Sequence, residues 1–339
     1  MITVDNLSKE FKVYEKQEGF KGAVKSLFSS KYKIKKAVDQ VSFSIDAGES
    51  VGYIGVNGAG KSTTLKMMTG ILLPTSGECR VFGVDPFTNR RNNVKNIGVV
   101  FGQRSQLWWD LPVSESFSIL QKIYQVPQNR FRENLAFFKN ILELDEFYLT
   151  PVRNLSLGQK MRADFAASLL HDPKVVFLDE PTIGLDIVVK DRIRSAIKDI
   201  NAQRNTTVIL TTHDLQDIQE VCRRIIVIDE GKILFDGSID ALKTNYGRWR
   251  NIHFEIPLTE QGEATEPLFP PDSEGIEVID DPSGITVKFQ RDMHQVGELI
   301  SRVMKMRQVR DIKINEPEMQ DIVKAIYLKG SAGRTIGVQ

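Results

Sequence analysis

The sequence has little that would cross-link it or anchor it in a membrane. Its 339 residues include only two cysteines, Cys79 and Cys222, at no spacing typical of a metal or redox site. No apolar run approaches the ~20 residues of a membrane-spanning helix, and the first residues lack the basic and apolar regions of a secretion signal. We therefore expect a protein of a reducing, cytoplasmic compartment, with both cysteines packed as small apolar side chains.

An excess of charge of one sign is missing as well. Lysine and arginine together number 45, and aspartate and glutamate number 44, so the formal net charge is +1. This balance gives no overall attraction to nucleic acid or to anionic lipid, and any such contact must be local. The length predicts roughly two domains.

The most informative segment is a glycine-rich loop, Gly55-Val-Asn-Gly-Ala-Gly-Lys-Ser-Thr63. It fits the pattern G-x-x-x-x-G-K-[ST] and lies between a predicted strand at 50–54 and a predicted helix at 64–70. Such a loop directs backbone N–H groups at a phosphate. A glycine-rich turn that binds nothing is the alternative, but the lysine, the hydroxyl and the context argue against it. We expect nucleoside triphosphate binding by Asn57, Gly58, Ala59, Gly60, Lys61, Ser62 and Thr63, with the Ser62 hydroxyl also a ligand for Mg²⁺.

Residues 1–246 predict a single α/β domain. Short apolar runs at 174–178 and 207–211 are typical of strands in a parallel sheet that is covered on both faces. Helical patterns between and after these runs indicate alternating strands and helices. The helical pattern of about 104–170 predicts a helical subdomain inserted in this core.

The pattern changes beyond residue 246. Residues 247–330 combine strand, hairpin and helix signals, which predict a small α+β domain, and 331–339 predict a mobile tail. The small domain offers no catalytic cluster, since His294 has no evident metal partners. We expect it to support dimerisation, with small-molecule binding or a simple extension of the interface as alternatives.

A basic stretch, 14–36, separates predicted strands at 2–7 and 41–45. Its apolar residues recur at helical spacing among several lysines. One interpretation is an amphipathic element against anionic lipid or a membrane partner. The other is a solvated helical excursion that packs on its own domain.

Two acids follow the predicted strand at 174–178. Asp179 is suited to Mg²⁺, usually through water, and Glu180 can polarise a water molecule that attacks a γ-phosphate. The alternative for Glu180 is a cap on the next helix, although Pro181 and Thr182 shape a turn directly after it.

A second helix start, Leu155-Ser-Leu-Gly-Gln159, predicts another anion site. One compact site does not need two helix N-termini for one γ-phosphate, whereas a head-to-tail dimer does. Gln103, Gly184-Leu-Asp186 and His213 complete an ordered set of motifs. Over about residues 1–242 the chain resembles the ATP-binding-cassette (ABC) ATPases, the nucleotide-binding subunits of ABC transporters, so we expect a P-loop NTPase core.

The resemblance implies roles for the matching residues. Gln103 would complete the Mg²⁺ shell with Ser62 and Asp179, and His213 would hold the γ-phosphate and the attacking water beside Glu180. Asp186 would couple the two sites of a dimer. The γ-phosphate bound by the opposite subunit would be contacted by Ser156, Gly158 and Gln159.

Two features of the resemblance are less regular. Leu157 stands where the commonest family signature has glycine. The aromatic side chain that stacks on adenine in the family follows the first strand. Phe11 is the expected residue by its distance from that strand, and Tyr14 and Tyr32 compete with it.

Adjacent tryptophans, Trp108 and Trp109, follow Gln103 where the family receives a helix of the membrane subunit. Because aromatic residues are enriched at binding patches, we expect both to line or support that groove. A local packing cluster under the helical subdomain is the alternative.

The pattern is most similar to the ATPases of ABC-2 type exporters. It implies a homodimeric ATP hydrolase that uses ATP and Mg²⁺, lies at the cytoplasmic face of the membrane and powers a separate membrane-spanning subunit, with no nucleic-acid partner. The alternative is an ABC ATPase that acts on ribosomes or DNA. Such proteins usually carry two cassettes or long coiled coils, whereas this sequence has one phosphate loop and no sustained heptads. A phosphoryl-transferring kinase would leave the signature unexplained.

Overall fold

The computed structural model describes residues 1–14, 32–102, 104–246, 249–257, 267–270, 273–281, 283–315 and 319–332. The chain divides into two compact units, Met1–Asp236 and Gly237–Gln339. This division falls before the predicted boundary at residue 246, because helix α8 (Ile239–Tyr246) lies against helix α10 (Met319–Ala332) within the second unit.

The first unit contains a six-stranded sheet whose central strands are parallel. In chain order its strands are β3 (Ser50–Gly55), β5 (Ile97–Phe101), β6 (Val175–Asp179), β7 (Thr207–Thr211), β8 (Arg224–Asp229) and β9 (Lys232–Ser238). They lie side by side in the order β5-β6-β7-β3-β8-β9. The side chains of β7 are all buried, as predicted for a strand covered on both faces.

A smaller antiparallel sheet has the order β2-β1-β4, formed by β1 (Ile2–Tyr14), β2 (Tyr32–Ile45) and β4 (Ser76–Val81). The prediction of a helical excursion across 14–36 is wrong for residues 32–36, which are strand and pair with β1 as far as Tyr14 and Tyr32. Cross-strand pairing prevails there over the helical spacing of the apolar residues. Residues 15–31 lie outside the described part of the chain.

Two strands had no clear signal in the sequence. Strand β4 buries only Cys79 and Val81 of its six residues, so its apolar pattern is short. Strand β5 is a five-residue apolar run that follows the short helix α2 (Arg90–Asn96) with no turn residue between them. Both strands are recognised by their partners rather than by their own composition.

Helices surround the parallel sheet and also form the predicted helical subdomain. Phe117, Phe138 and Phe165 are fully buried in three different helices, and we take them as the core of that subdomain. The helices of the first unit are α1 (Lys61–Met68), α2, α3 (Val113–Ile123), α4 (Gln128–Leu142), α5 (Leu157–Ala167), α6 (Ile187–Arg204) and α7 (Leu215–Val221).

The second unit is the predicted small α+β domain. Its four-stranded antiparallel sheet has the order β11-β12-β10-β13, and buried Phe254 and Phe289 belong to its core. The elements after α8 are β10 (Trp249–Glu255), β11 (Ile276–Asp281), β12 (Gly284–Gln290), α9 (Val296–Met306), β13 (Asp311–Asn315) and α10. Since α10 runs to Ala332, the predicted tail begins inside a helix, and 333–339 lie outside the described residues.

Two sequence-based exclusions can be compared with the structure. Across the described ranges, no helix combines the length and apolarity needed to cross a membrane. Cys79 and Cys222 are free and buried, and burial raises the pKa of each thiol to about 12. Both therefore stay protonated at neutral pH, as small packed side chains.

A buried carboxylate connects the helical subdomain to the loop after β5. Asp164, on α5, accepts hydrogen bonds from the Ser105 hydroxyl (2.8 Å) and the Gln106 backbone N–H (3.0 Å). The Gln106 side-chain amide donates to the Asp164 carbonyl at 3.1 Å. Burial raises the pKa of Asp164 to about 6, since desolvation outweighs these hydrogen bonds.

This raised pKa predicts a pH-dependent contribution to stability. The folded chain keeps the Asp164 proton up to about pH 6, whereas the unfolded chain releases it near pH 4, so this stabilisation is present below pH ~4 and is lost as pH rises through ~6. We expect Asp164→Asn, which cannot ionise, to gain about 2–3 kcal/mol relative to the unsubstituted chain between pH 4 and pH 7. Unfolding of both proteins across this pH range measures the difference, and a pH-independent difference would contradict the prediction.

Candidate functional site

The phosphate loop joins β3 to α1 through two glycines with positive φ. Gly58 has φ 85° and Gly60, the residue that precedes α1, has φ 107°. A Cβ on Gly60 would overlap the carbonyl oxygen of Ala37, whereas one on Gly58 would meet no atom within 4 Å. Both positions favour glycine for conformation, but only Gly60 also requires it for space.

The Lys61 side chain curls back over this loop and is buried. Its ammonium donates to the carbonyl of Gly55 at 2.7 Å and to that of Val56 at 3.2 Å. Burial lowers the pKa of Lys61, and the charges of Glu180 and Asp179 partly oppose that change. The cation is thus held at the centre of the loop, where a bound phosphate would meet it.

A cleft of about 450 Å³ opens over the loop. Phe11 and Lys35, which are paired across the β1–β2 ribbon, form one wall of it. Ala59 is buried and does not line the cleft. The lining residues are Phe11, Lys35, Ala37, Asn57, Gly58, Gly60, Lys61, Ser62, Thr63 and Glu180.

The ribbon also separates the three candidate aromatic residues. Because side chains alternate between the faces of a strand, Phe11 and Tyr14 lie on opposite faces of β1. Tyr32 pairs with Tyr14, and its ring lies 4.7 Å from the ammonium of Lys12 rather than in the cleft. Of the three, Phe11 is the one whose ring borders the phosphate loop, and it is 40% exposed.

Oxygen atoms gather where β6 and β7 end beside the loop. The Thr211 hydroxyl donates to Asp179 Oδ1 at 2.6 Å, and the Ser62 hydroxyl lies 3.3 Å from the same oxygen. A hydroxyl beside a carboxylate is a donor set that suits Mg²⁺ when substrate phosphates supply further ligands. Among the described residues, no group of three or more acidic, histidine or cysteine side chains is arranged to hold a metal ion by itself, and Gln103 lies outside the described residues.

Glu180 and His213 are brought together from two different strand ends. The His213 Nε2 atom lies 2.6 Å from Glu180 Oε1. Glu180 has φ 57°, a left-handed conformation, and its backbone N–H donates to the Thr211 carbonyl at 2.9 Å. The alternative role of Glu180 as a helix cap is not what the structure has, because Asp186 caps α6 by accepting from the Val189 N–H at 3.0 Å.

The signature forms a preorganised helix start. The Ser156 hydroxyl accepts from the Gln159 N–H at 3.2 Å, and the Gln159 side chain accepts from the Ser156 N–H at 3.0 Å, which together make a capping box. A Cβ on Gly158 would lie 3.1 Å from the Val189 side chain. Leu157, the departure from the family pattern, is 53% exposed and lies near Gly184.

The signature is not part of the cleft. Within the described residues, Ser156, Gly158, Gln159 and Asp186 do not line it. The signature and Asp186 instead form a second cluster at the starts of α5 and α6. One chain therefore gathers the phosphate loop, the acidic pair and His213, but leaves the capped helix start of the signature away from that cleft.

The two tryptophans are partly solvent-exposed. Trp108 is 37% exposed and Trp109 is 59% exposed, with the Lys160 ammonium 5.3 Å from the Trp109 ring. Trp109 thus presents aromatic surface next to the helix of the signature. Its prediction as part of a docking groove stays a prediction.

Sequence reasoning missed two residues of the cleft and its edge. Lys35 enters the cleft only because the ribbon pairs it with Phe11, which required the register of a long hairpin. Thr211 binds Asp179 from the neighbouring strand. Its position as the last residue of a predicted parallel strand was the available signal, since parallel strands end at one edge.

The comparisons with known proteins agree with this geometry. A family model described as "ABC transporter" matches residues 38–183. The ABC transporter ATP-binding protein NatA of Bacillus subtilis is 29% identical over 215 residues, which are 63% of this chain and 87% of NatA. The bacitracin transport ATP-binding protein BcrA of Bacillus licheniformis is 31% identical over 233 residues, 69% of this chain and 74% of BcrA.

A solved structure is similar as well. It is a dimeric ATP-binding cassette in a post-hydrolysis state with ADP and Pi bound, with a TM-score of 0.58 and 25% identity, covering 70% of this chain and 99% of that one. A putative ABC transporter ATP-binding protein of Clostridium acetobutylicum is 31% identical over 224 residues, 66% of this chain and 80% of that protein. With identity of this level over most of such a relative, and with the cassette fold around the cleft, the chain belongs to the ATP-binding proteins of ABC transporters and is an ABC ATPase.

Proposed function

We propose that this ATPase is the motor subunit of an ABC-2 type exporter and works as a head-to-tail dimer. One observation carries the proposal: the phosphate loop and Glu180 share a cleft, with Asp179 and His213 beside them, whereas the capped helix start of the signature does not line that cleft. In such a dimer, the signature of each copy closes over the nucleotide of the other. The solved cassette of similar fold is dimeric with ADP and Pi bound, which supports a dimer.

The phosphate loop would hold the β- and γ-phosphates of ATP. The Lys61 ammonium already lies against the loop at the N-terminus of α1, so little reorganisation of that side chain is needed on binding. Phe11 would stack on the adenine. Ser62 and Asp179, with Gln103, would hold a Mg²⁺ ion, which when bound neutralises charge on the phosphates.

Hydrolysis would use the pair formed by Glu180 and His213. The Glu180 carboxylate accepts a hydrogen bond from the attacking water and orients it in line with the γ-phosphate. His213 holds that water and a γ-phosphate oxygen. Their 2.6 Å separation keeps both groups within reach of one water molecule.

Closure of the dimer follows from contacts to the γ-phosphate. Ser156, Gly158 and Gln159 of one copy would bind the γ-phosphate held by the other, and Asp186 would couple the two sites. ATP then binds the closed state better than the open state, which shifts the population toward closure. Hydrolysis removes these contacts and permits reopening.

A membrane-spanning subunit would receive this motion. The exposed Trp109, with Trp108, is the surface we assign to that contact. It would hold the ATPase at the cytoplasmic face of the membrane. Export as the direction is supported by the pattern of the whole chain and by relatives named for bacitracin transport and as a probable multidrug transporter.

The phosphate loop offers a matched pair of substitutions. Gly60→Ala places a Cβ on the Ala37 carbonyl, whereas Gly58→Ala meets open space, and both carry the cost of a positive φ. We expect Gly60→Ala to weaken ATP binding at least about tenfold more than Gly58→Ala, a difference of ~1.4 kcal/mol or more. Titration with a fluorescent ATP analogue measures both variants, and equal losses would contradict the proposed fit of the loop.

The catalytic assignment and the partner are tested together with Glu180→Gln. Loss of the carboxylate base is expected to slow hydrolysis by about 100-fold or more while ATP binding persists, so the closed dimer accumulates. Steady-state hydrolysis and nucleotide binding measure the two effects. Unchanged hydrolysis would remove Glu180 from the mechanism.

The same variant serves to capture partners from gently solubilised membranes. We expect a polytopic membrane protein in stoichiometric amount, and Lys61→Ala, which should not close on ATP, is the matched control. Recovery of ribosomes or DNA instead would overturn the transporter assignment and favour the alternative class of ABC ATPase.

A further inference from the structure

The two groups proposed for hydrolysis lie on separate loops, just beyond the ends of β6 and β7. Glu180 follows the end of β6 in a left-handed conformation. His213 lies in the short segment between β7 and α7. The strand register and the hydrogen bond from the Glu180 N–H to the Thr211 carbonyl place the two backbones, and contacts beyond the strand ends hold the loops that carry the side chains.

One buried carboxylate contacts both loops. Asp217, on α7, is 1% exposed. Its Oδ2 atom accepts from the hydroxyl of Thr182 at 2.5 Å and from the hydroxyl of Thr212 at 2.8 Å. Thr182 lies two residues after Glu180, and Thr212 lies directly before His213. The same oxygen atom thus joins the loops that carry the two reacting side chains.

The charge of this carboxylate is balanced from a third element. Arg194, on α6, donates from Nε to Asp217 Oδ1 at 2.6 Å and is 2% exposed. Its remaining nitrogens contact Asp191 at 3.0 Å, Glu220 at 3.2 Å and Asp214 at 3.4 Å. A buried carboxylate that lost a partner would destabilise the fold, so each of these hydrogen bonds contributes to stability.

The network also fixes the other side of the histidine loop. Asp214, the residue after His213, caps α7 by accepting from the Gln216 N–H at 3.1 Å. Its second oxygen contacts the Lys190 ammonium at 2.8 Å. Both residues that flank His213 are therefore held, one through Asp217 and one through α6.

We infer that Asp217 is a positioning residue for hydrolysis: its buried carboxylate holds Thr182 and Thr212, and through them sets the spacing of Glu180 and His213. This inference rests on the proposed function. Asp217 does not touch the nucleotide cleft, and it acts only through the two threonine hydroxyls. Arg194 completes the arrangement by neutralising the carboxylate from α6.

The test is Asp217→Asn in the full chain. Asparagine keeps the shape but removes the charge that faces Arg194, and with its amide nitrogen in place of Oδ2 it keeps the contacts to Thr182 and Thr212 only if both hydrogen bonds reverse direction. We expect kcat for ATP hydrolysis to fall about 10- to 100-fold, the range for loss of such supporting contacts. The KM for ATP and the affinity for nucleotide are expected to change less than about twofold, since the phosphate loop is untouched.

A matched control separates positioning from general loss of stability. Arg224 and Asp236 form a two-bond ion pair, at 2.7 Å and 2.7 Å, between β8 and β9 and away from both catalytic loops. Asp236→Asn should lower the thermal midpoint and leave kcat unchanged. A loss of kcat in both variants in proportion to stability would overturn the inference.

The threonines provide a second, milder series. Thr182→Val and Thr212→Val each remove one hydroxyl at nearly constant volume, and both should lower kcat with little change in KM. Thr182→Ser keeps the hydroxyl and should retain kcat, which a role in packing alone would not produce. Combining Thr182→Val with Asp217→Asn should add little further loss, because both act through one contact.

Failure of the proposed function and failure of the positioning role give different results. If the unsubstituted chain does not hydrolyse ATP, the proposed function fails and the inference fails with it. If the unsubstituted chain hydrolyses ATP and Asp217→Asn has the same kcat, the positioning role is wrong while the proposed function stands. The same holds if Asp217→Asn lowers kcat and raises KM together.

Discussion

The site depends on the parallel pairing of β3, β7 and β6. Because parallel strands end at one edge of a sheet, this pairing brings the phosphate loop, Thr211 and Asp179 together. The register places Asp179 directly opposite Thr211, and the Thr211 hydroxyl donates to the Asp179 carboxylate at 2.6 Å across the two strand ends. Glu180 and His213 extend one and two residues beyond these positions. A shift of β6 along β7 would therefore separate Asp179 from Thr211 and Glu180 from His213 at the same time.

The second constraint is that one chain holds the phosphate loop and the signature at different places. The helix start at Lys61 faces a cleft, and the helix start at Ser156 does not line it. The loop glycines fix the backbone of the first helix start, and the capping box fixes that of the second. The proposed closure of the dimer needs this separation. If the signature contacts a γ-phosphate only in a second copy, that contact forms when ATP binds and is lost when ATP is hydrolysed.

Much of the fold and of the candidate site was predictable from the sequence, because the motifs are local. The phosphate loop, the acidic pair, the signature and the small α+β domain each depend on neighbouring residues, and the fold class they predicted is confirmed. Contacts between distant segments were not predictable. Lys35 reaches the cleft through a hairpin register that the lysine-rich stretch concealed, and Asp217 gains its role from Thr182, Thr212 and Arg194, which belong to three separate segments.

The central claim is that each active site is built from two copies of the chain. Mixing two inactive variants tests it most directly: Lys61→Ala, which disables the phosphate loop, and Gly158→Asp, which disables the signature. In a mixed dimer one site combines both disabled halves and the other combines both intact halves. The account predicts that ATP hydrolysis by the mixture rises clearly above that of either variant alone. No recovery, with both variants folded and able to associate, would contradict it.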